Sequence, residues 1–252
     1  MLRRAIILAA ILLVACQAFA ADEILVAAAS DLQFALPELA QKFEQQTGVK
    51  VKLSFGSSGN FTNQIRNGAP FDVFFSADLN YPRQLAAEGF ADPATLYHYA
   101  DGKIVLWAPA SSNLNLQEGL GILLSPAIHK IAIANPEHAP YGRAAVAALK
   151  HENLYEKVQS RFVLGENISQ TAQFAESGSA EVGIIALSLA LAPSMHGKGK
   201  YFEIPAADYP AIEQGAVVLK ISTHKQIAVQ FLDFLKTPAS QSVFARYGFS
   251  HP

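Results

Sequence analysis

Between Ile24 and Glu88 the chain passes three times through a short apolar strand, a turn and an amphipathic helix, and that repetition leaves few folds open. Ile24-Leu25-Val26-Ala27-Ala28 reads as a strand. The helix that follows over 32–46 carries Leu32, Leu36, Leu39, Ala40 and Phe43 on one face. A strand over 49–53 with a helix over 61–67, and a strand over 72–75 with a helix over 81–88, repeat the unit. Each helix returns the chain to the same end of the sheet. The sequence therefore predicts an α/β fold whose mainly parallel sheet is covered by helices on both faces.

Further strands are expected at 103–108, 130–134, 161–164, 182–186 and 216–221, with helices over 143–150, 170–176, 224–236 and 238–247. A helical end after a second set of strands suits a chain that leaves one lobe, builds another and returns. Residues 21–103 and 214–252 are assigned to lobe I and 104–213 to lobe II, with crossings near Lys103 and Glu213. A mature chain of this length, with 51% hydrophobic residues, can bury a large core.

Residues 1–20 read as a secretory signal peptide: Arg3 and Arg4 begin it, an apolar run follows, and Ala18-Phe19-Ala20 offers a small-residue cleavage site. Leu13-Val14-Ala15-Cys16 also resembles a lipoprotein box, which competes with that site. The run is too short to span a bilayer, so export to the periplasm is expected rather than a retained anchor. Cys16 is the only cysteine, so a chain starting at Ala21 has no disulfide and must be stabilised by packing. Without Arg3 and Arg4, 17 of the 19 basic residues remain against 21 acidic ones, in no basic run. Nucleic acid and anionic membrane surface are therefore poor partners.

Hydroxyl or amide residues stand where strands give way to helices at Ser30-Asp31, Ser57-Ser58-Gly59-Asn60 and Asn167-Ile168-Ser169. The first turn of a helix has unpaired N–H groups and the positive end of the macrodipole, and so it holds an anion without a cationic side chain. These residue types are also ordinary helix caps. Gly56 and Gly59 permit a close backbone approach. In open α/β folds ligands lie beyond the carboxyl ends of strands, where all three clusters fall. A fourth feature, Asn135-Pro136-Glu137-His138-Ala139-Pro140-Tyr141-Gly142, is a proline-stiffened loop. Its Tyr141 offers a phenol or a backbone N–H to a ligand, or packs between lobes.

Neither a phosphate loop nor a dinucleotide fingerprint is present, and the seven histidines include no pair at metal-binding helical spacing. No cofactor and no bare metal ion are expected. Ser58 sits at a strand-to-helix turn but lacks the Gly-x-Ser-x-Gly frame of a nucleophile elbow, so a serine hydrolase is the lesser alternative.

Ala27-Ala28-Ala29-Ser30, the Ser54 to Gly59 turn, the stretch from Asn67-Gly68-Ala69-Pro70 to Ser76-Ala77-Asp78, and the Asn135 to Gly142 loop resemble the periplasmic molybdate-binding proteins of ABC importers. The resemblance covers essentially the whole mature chain. It implies a two-lobed periplasmic-binding-protein fold of type II, a non-enzymatic monomer that closes on molybdate or tungstate in its cleft and delivers it to a membrane ABC permease. By position, Ser30 and Ser58 would supply hydroxyls, Asp31 and Ile168 backbone N–H groups, and Tyr141 a contact from the second lobe. Some members of the family carry a tyrosine where this chain has Ala186; this chain resembles the branch with its tyrosine in the loop. Sulfate differs from molybdate mainly in size, and monoprotonated phosphate would need an acceptor, for which Asp31 is the nearby candidate unless its side chain caps a helix.

Overall fold

The computed structural model describes residues 22–252. The signal segment and cleavage site expected from the sequence, and Cys16, lie outside the described residues. Two five-stranded sheets form the framework. In the first, β1 (Glu23–Ala29) pairs in parallel with β2 (Lys50–Gly56) and β3 (Val73–Ser76). A late strand, β10 (Ile212–Val218), runs antiparallel between β3 and β4 (Tyr97–Gly102). The second sheet repeats the plan. There β6 (Ile131–Ala134) is parallel to β7 (Phe162–Gly165) and β8 (Val182–Ala186), while β5 (Ile104–Pro109) runs antiparallel between β8 and β9 (Gly199–Glu203). Both sheets are thus mixed but mainly parallel, as the strand-helix alternation requires. The chain leaves the first sheet between Gly102 and Ile104 and returns to it between Glu203 and Ile212.

Period-two alternation distributes the apolar side chains of the first sheet. Ile24, Val26, Ala28, Val73 and Phe75 enter one cluster, and Ala27, Phe74 and Val217 enter another on the opposite face. Helix α1 (Ala35–Thr47) buries Ala35, Leu36, Leu39, Ala40 and Phe43 against the first face and ends at Gly48, whose φ of 76° suits glycine. Phe43 meets Phe231 of α8 (Lys225–Leu235) edge to face at 5.1 Å, and Phe244 of α9 (Pro238–Arg246) extends this aromatic layer to Tyr99. Helices α2 (Ser58–Arg66) and α3 (Asn80–Ala87) cover the other face through Phe61, Ile65 and Leu85. The second sheet has its own core, into which α4 (Pro140–His151), α5 (Tyr155–Val158), α6 (Ile168–Glu176) and α7 (Leu187–Ala190) pack. No helix among the described residues is long and apolar enough to cross a membrane.

Three readings of the sequence require correction. The helix expected over 32–46 is interrupted: a 3₁₀ turn occupies Ser30–Leu32 and α1 begins only at Ala35. The strand expected over 216–221 lies earlier, at Ile212–Val218, because its first half carries Glu213 and Gln214, which mask the strand signal. Strands β4 and β9 were not expected at all; their sequences, YHYADG and GKYFE, are polar and close the edges of the two sheets.

Candidate functional site

Four strands end at one place. Ser30 and Asp31 follow β1, Ser57 and Ser58 follow β2, the loop 135–141 follows β6, and Asn167 and Ile168 follow β7. The five residues singled out from the sequence, Ser30, Asp31, Ser58, Tyr141 and Ile168, line one narrow cavity. Ser57, Ala77, Ala139 and Pro140 complete much of its wall. All five are nearly or completely buried, Ser58 at 0% exposure.

Two glycines set this geometry. A Cβ on Gly59 would lie 2.8 Å from the carbonyl oxygen of His138, which accepts the Gly59 N–H at 2.9 Å, so only glycine lets the start of α2 reach the loop before α4. A Cβ on Gly142 would lie 2.1 Å from the carbonyl of Ala134, so α4 starts flush against the end of β6.

Three helices begin at the cavity, and their first turns can be accounted for donor by donor. In α2, Gly59 N–H reaches His138, and Asn60 N–H reaches the capping Oγ of Ser57 at 3.4 Å. In α6, Ser169 N–H reaches Ser30 Oγ at 3.2 Å, and Gln170 N–H reaches Asn167 Oδ1 at 3.0 Å. In α4, Pro140 has no N–H, and Gly142 N–H reaches Ala139. The N–H groups of Ser58, Tyr141 and Ile168 have no acceptor among the described residues. Each belongs to a residue lining the cavity.

The hydroxyls differ in how free they are. Ser58 Oγ accepts the Ala77 N–H at 3.0 Å, which leaves its own hydrogen to donate. Ser30 Oγ already donates to Asn167 Oδ1 at 3.1 Å, a bond between the first sheet and the second.

Among the described residues, no lysine, arginine or histidine lines the cavity. Arg143, the nearest candidate by sequence, turns away to Asp78 at 2.6 Å and lies over the Tyr81 ring at 5.5 Å. Among the described residues, the only charge-bearing side chain in the wall is that of Asp31, for which a helix-capping role was an alternative. It caps no helix. Its Oδ2 accepts from the Tyr141 hydroxyl at 2.9 Å and from Gln214 Nε2 at 2.7 Å. Gln214 Nε2 also donates to the Tyr141 hydroxyl at 2.8 Å, and Tyr99 donates to Gln214 Oε1 at 2.5 Å. The phenol of Tyr141 is therefore engaged with Asp31, and its backbone N–H is the free donor. Burial raises the Asp31 carboxyl from 3.8 to about 6, although hydrogen bonds from Gln214 and Tyr141 pull it down. Ala186 is fully buried at the end of β8 and does not line the cavity.

Sequence reading missed Gln214 and Tyr99, the two members of this network contributed by β10 and β4. A fully buried glutamine inside an apolar strand was the available signal, hidden by the misplaced start of β10. Hydrolytic machinery does not assemble. Ser58 Oγ has no histidine partner among the described residues; His138 Nδ1 lies 2.9 Å from Ser57 Oγ, a helix cap, and its Nε2 is 3.7 Å from Glu166. Elsewhere, His151, Glu152 and Asp208 bring ligand-type atoms within 4.8 Å of one another, but none lines the cavity.

Residues 24–250 match the family described as bacterial extracellular solute-binding protein. The molybdate-binding protein ModA of Azotobacter vinelandii is 38% identical over 237 residues, covering 94% of this chain and 93% of that protein. ModA of Rhodobacter capsulatus is 37% identical over 232 residues, covering 91% and 89%. The solved structure of the Azotobacter vinelandii periplasmic molybdate-binding protein superposes with a TM-score of 0.86 at 37% identity, covering 91% of this chain and 99% of that one. This chain belongs to the bacterial extracellular solute-binding protein family and is a transport component, not an enzyme.

Proposed function

We propose that this protein captures molybdate or tungstate in the periplasm and delivers it to a membrane ABC permease. Residues 21–103 with 214–252 and residues 104–213 act as two lobes, and the anion lies between them, held by Ser30, Asp31, Ser58, Tyr141 and Ile168. The observation that carries this reading is that, among the described residues, the N–H groups of Ser58, Tyr141 and Ile168, one from each of three helix starts, are unpaired around a cavity lined by no cationic side chain. Such donors satisfy an oxyanion that only accepts hydrogen bonds, and the helix dipoles supply the positive potential that a net acidic protein lacks. The names of the relatives favour molybdate over sulfate.

Delivery follows from closure: the anion bridges groups on both sheets, so it binds the closed form better than the open one and shifts the population toward it. The permease would recognise the closed form. Calorimetric titration of the chain from Ala21 with molybdate, tungstate, sulfate and phosphate tests this directly. Tight binding of the first two with feeble binding of the others is the expected outcome; preference for phosphate or silence from all four would overturn it.

A further inference from the structure

One feature of the cavity wall is not used by a cage of neutral donors. Asp31 is 1% exposed and lines the cavity, and both of the side-chain donors it receives, from Tyr141 and Gln214, go to Oδ2. Its Oδ1 is buried without a partner among the described residues. An ionised carboxylate there would present an unpaired negative oxygen to an incoming dianion. A neutral carboxylic acid would do the opposite. With Oδ2 occupied by two donors, the proton must sit on Oδ1, which then becomes an O–H donor.

We propose, resting on the oxyanion reading above, that Asp31 enters the binding cage as a neutral acid donating through Oδ1, so that capture of one dianion takes up one proton from solvent. Asp31 thereby selects for anions without a proton of their own: an ionised Asp31 would instead suit a protonated anion such as hydrogen phosphate, with no proton uptake.

The surroundings of the carboxyl agree. The titratable groups facing it are the phenols of Tyr141 from α4 and Tyr99 from β4, both held neutral, their ionisation pushed well upward by burial and by the Asp31 charge. Gln214 from β10 is neutral, and Ser188 from α7 donates to the Asp31 backbone carbonyl at 2.8 Å. Arg143 is turned toward Asp78, and His98 is paired with Asp101 at 2.8 Å. Burial already raises the carboxyl to about 6, and a dianion alongside raises it further.

The test is titration of the chain from Ala21 with molybdate at pH 7.5 in HEPES, Tris and imidazole, whose ionisation enthalpies differ, followed by affinity measurements from pH 6 to pH 8. The inference expects close to one proton taken up per anion. It also expects affinity about fiftyfold weaker at pH 8 than at pH 6, the linkage for a group that titrates near 6 when free and stays protonated when bound. Asp31→Asn, whose Oδ1 still accepts from Tyr141 and Gln214 while Nδ2 donates, loses both the proton uptake and the pH slope. Binding without proton uptake, or uptake that persists in Asp31→Asn, overturns the inference and leaves the proposed function standing. No heat from molybdate at any pH overturns both. The wild-type proton count decides the matter even if the variant does not fold.

Discussion

The two serines of the cage are not equivalent, and removing each should cost a different amount of affinity. Ser58 Oγ accepts from Ala77 N–H at 3.0 Å and keeps its hydrogen free, so it donates to an anion without giving up any bond. A hydrogen bond to a charged group contributes about 1.5–3 kcal/mol, so Ser58→Ala should weaken molybdate binding by about 13- to 160-fold. Ser30 Oγ spends its hydrogen on Asn167 Oδ1 at 3.1 Å, and it must break that bond to serve the anion. Only the difference between the two bonds is lost in Ser30→Ala, about 0.5–1.5 kcal/mol or about 2- to 13-fold. Calorimetry on both variants, with thermal unfolding to confirm equal folding, reads the contrast. A larger loss in Ser30→Ala than in Ser58→Ala, or no loss in Ser58→Ala, would refute the assignment of hydrogens.

Stability should report the buried carboxyl independently of any ligand. Asp31 is raised from 3.8 to about 6 by burial, so the folded protein binds a proton that the unfolded chain has released, and stability falls as pH rises through that window, by about 3 kcal/mol in total. Asp31→Asn removes this slope and should unfold at a higher temperature than wild type at pH 7 but not at pH 4; identical pH profiles would contradict the burial argument. Gly142→Ala places a methyl group 2.1 Å from the Ala134 carbonyl, a backbone clash costing about 1–3 kcal/mol in thermal or urea unfolding, and an unperturbed midpoint would count against the tight start of α4. Arg143→Ala removes a partly exposed pair with Asp78 and should change stability by less than about 1 kcal/mol, a larger loss marking a role beyond that contact.

Much of the fold was legible because the signals were local. Apolar runs such as 182–186 gave β8, and the spacing of Leu36, Leu39, Ala40 and Phe43 gave the core face of α1. The residues at the strand ends were legible for the same reason: a serine or asparagine before an amphipathic helix marks a helix start whether or not a ligand is present. What escaped was non-local or polar. Strand β4 reads as a loop until β10 pairs with it, and Gln214 lies 183 positions from the Asp31 it donates to. No periodicity connects Tyr141 with Asp31, 110 positions apart, so the sequence suggests a backbone N–H for Asp31 but not that its carboxyl is the centre of a buried network. Only the three-dimensional pairing of donors and acceptors distinguishes the N–H groups of Ser58, Tyr141 and Ile168, unpaired among the described residues, from their paired neighbours.

The most direct test of an anion cage at three helix starts is a crystal structure of the chain from Ala21 with tungstate, using anomalous scattering to locate the tungsten. A single strong peak in the cavity between Ser30, Ser58 and the first turns of α4 and α6, with oxygens meeting the N–H groups of Ser58, Tyr141 and Ile168, is the predicted result. A peak elsewhere, or oxygens held by lysine or arginine side chains, would contradict it.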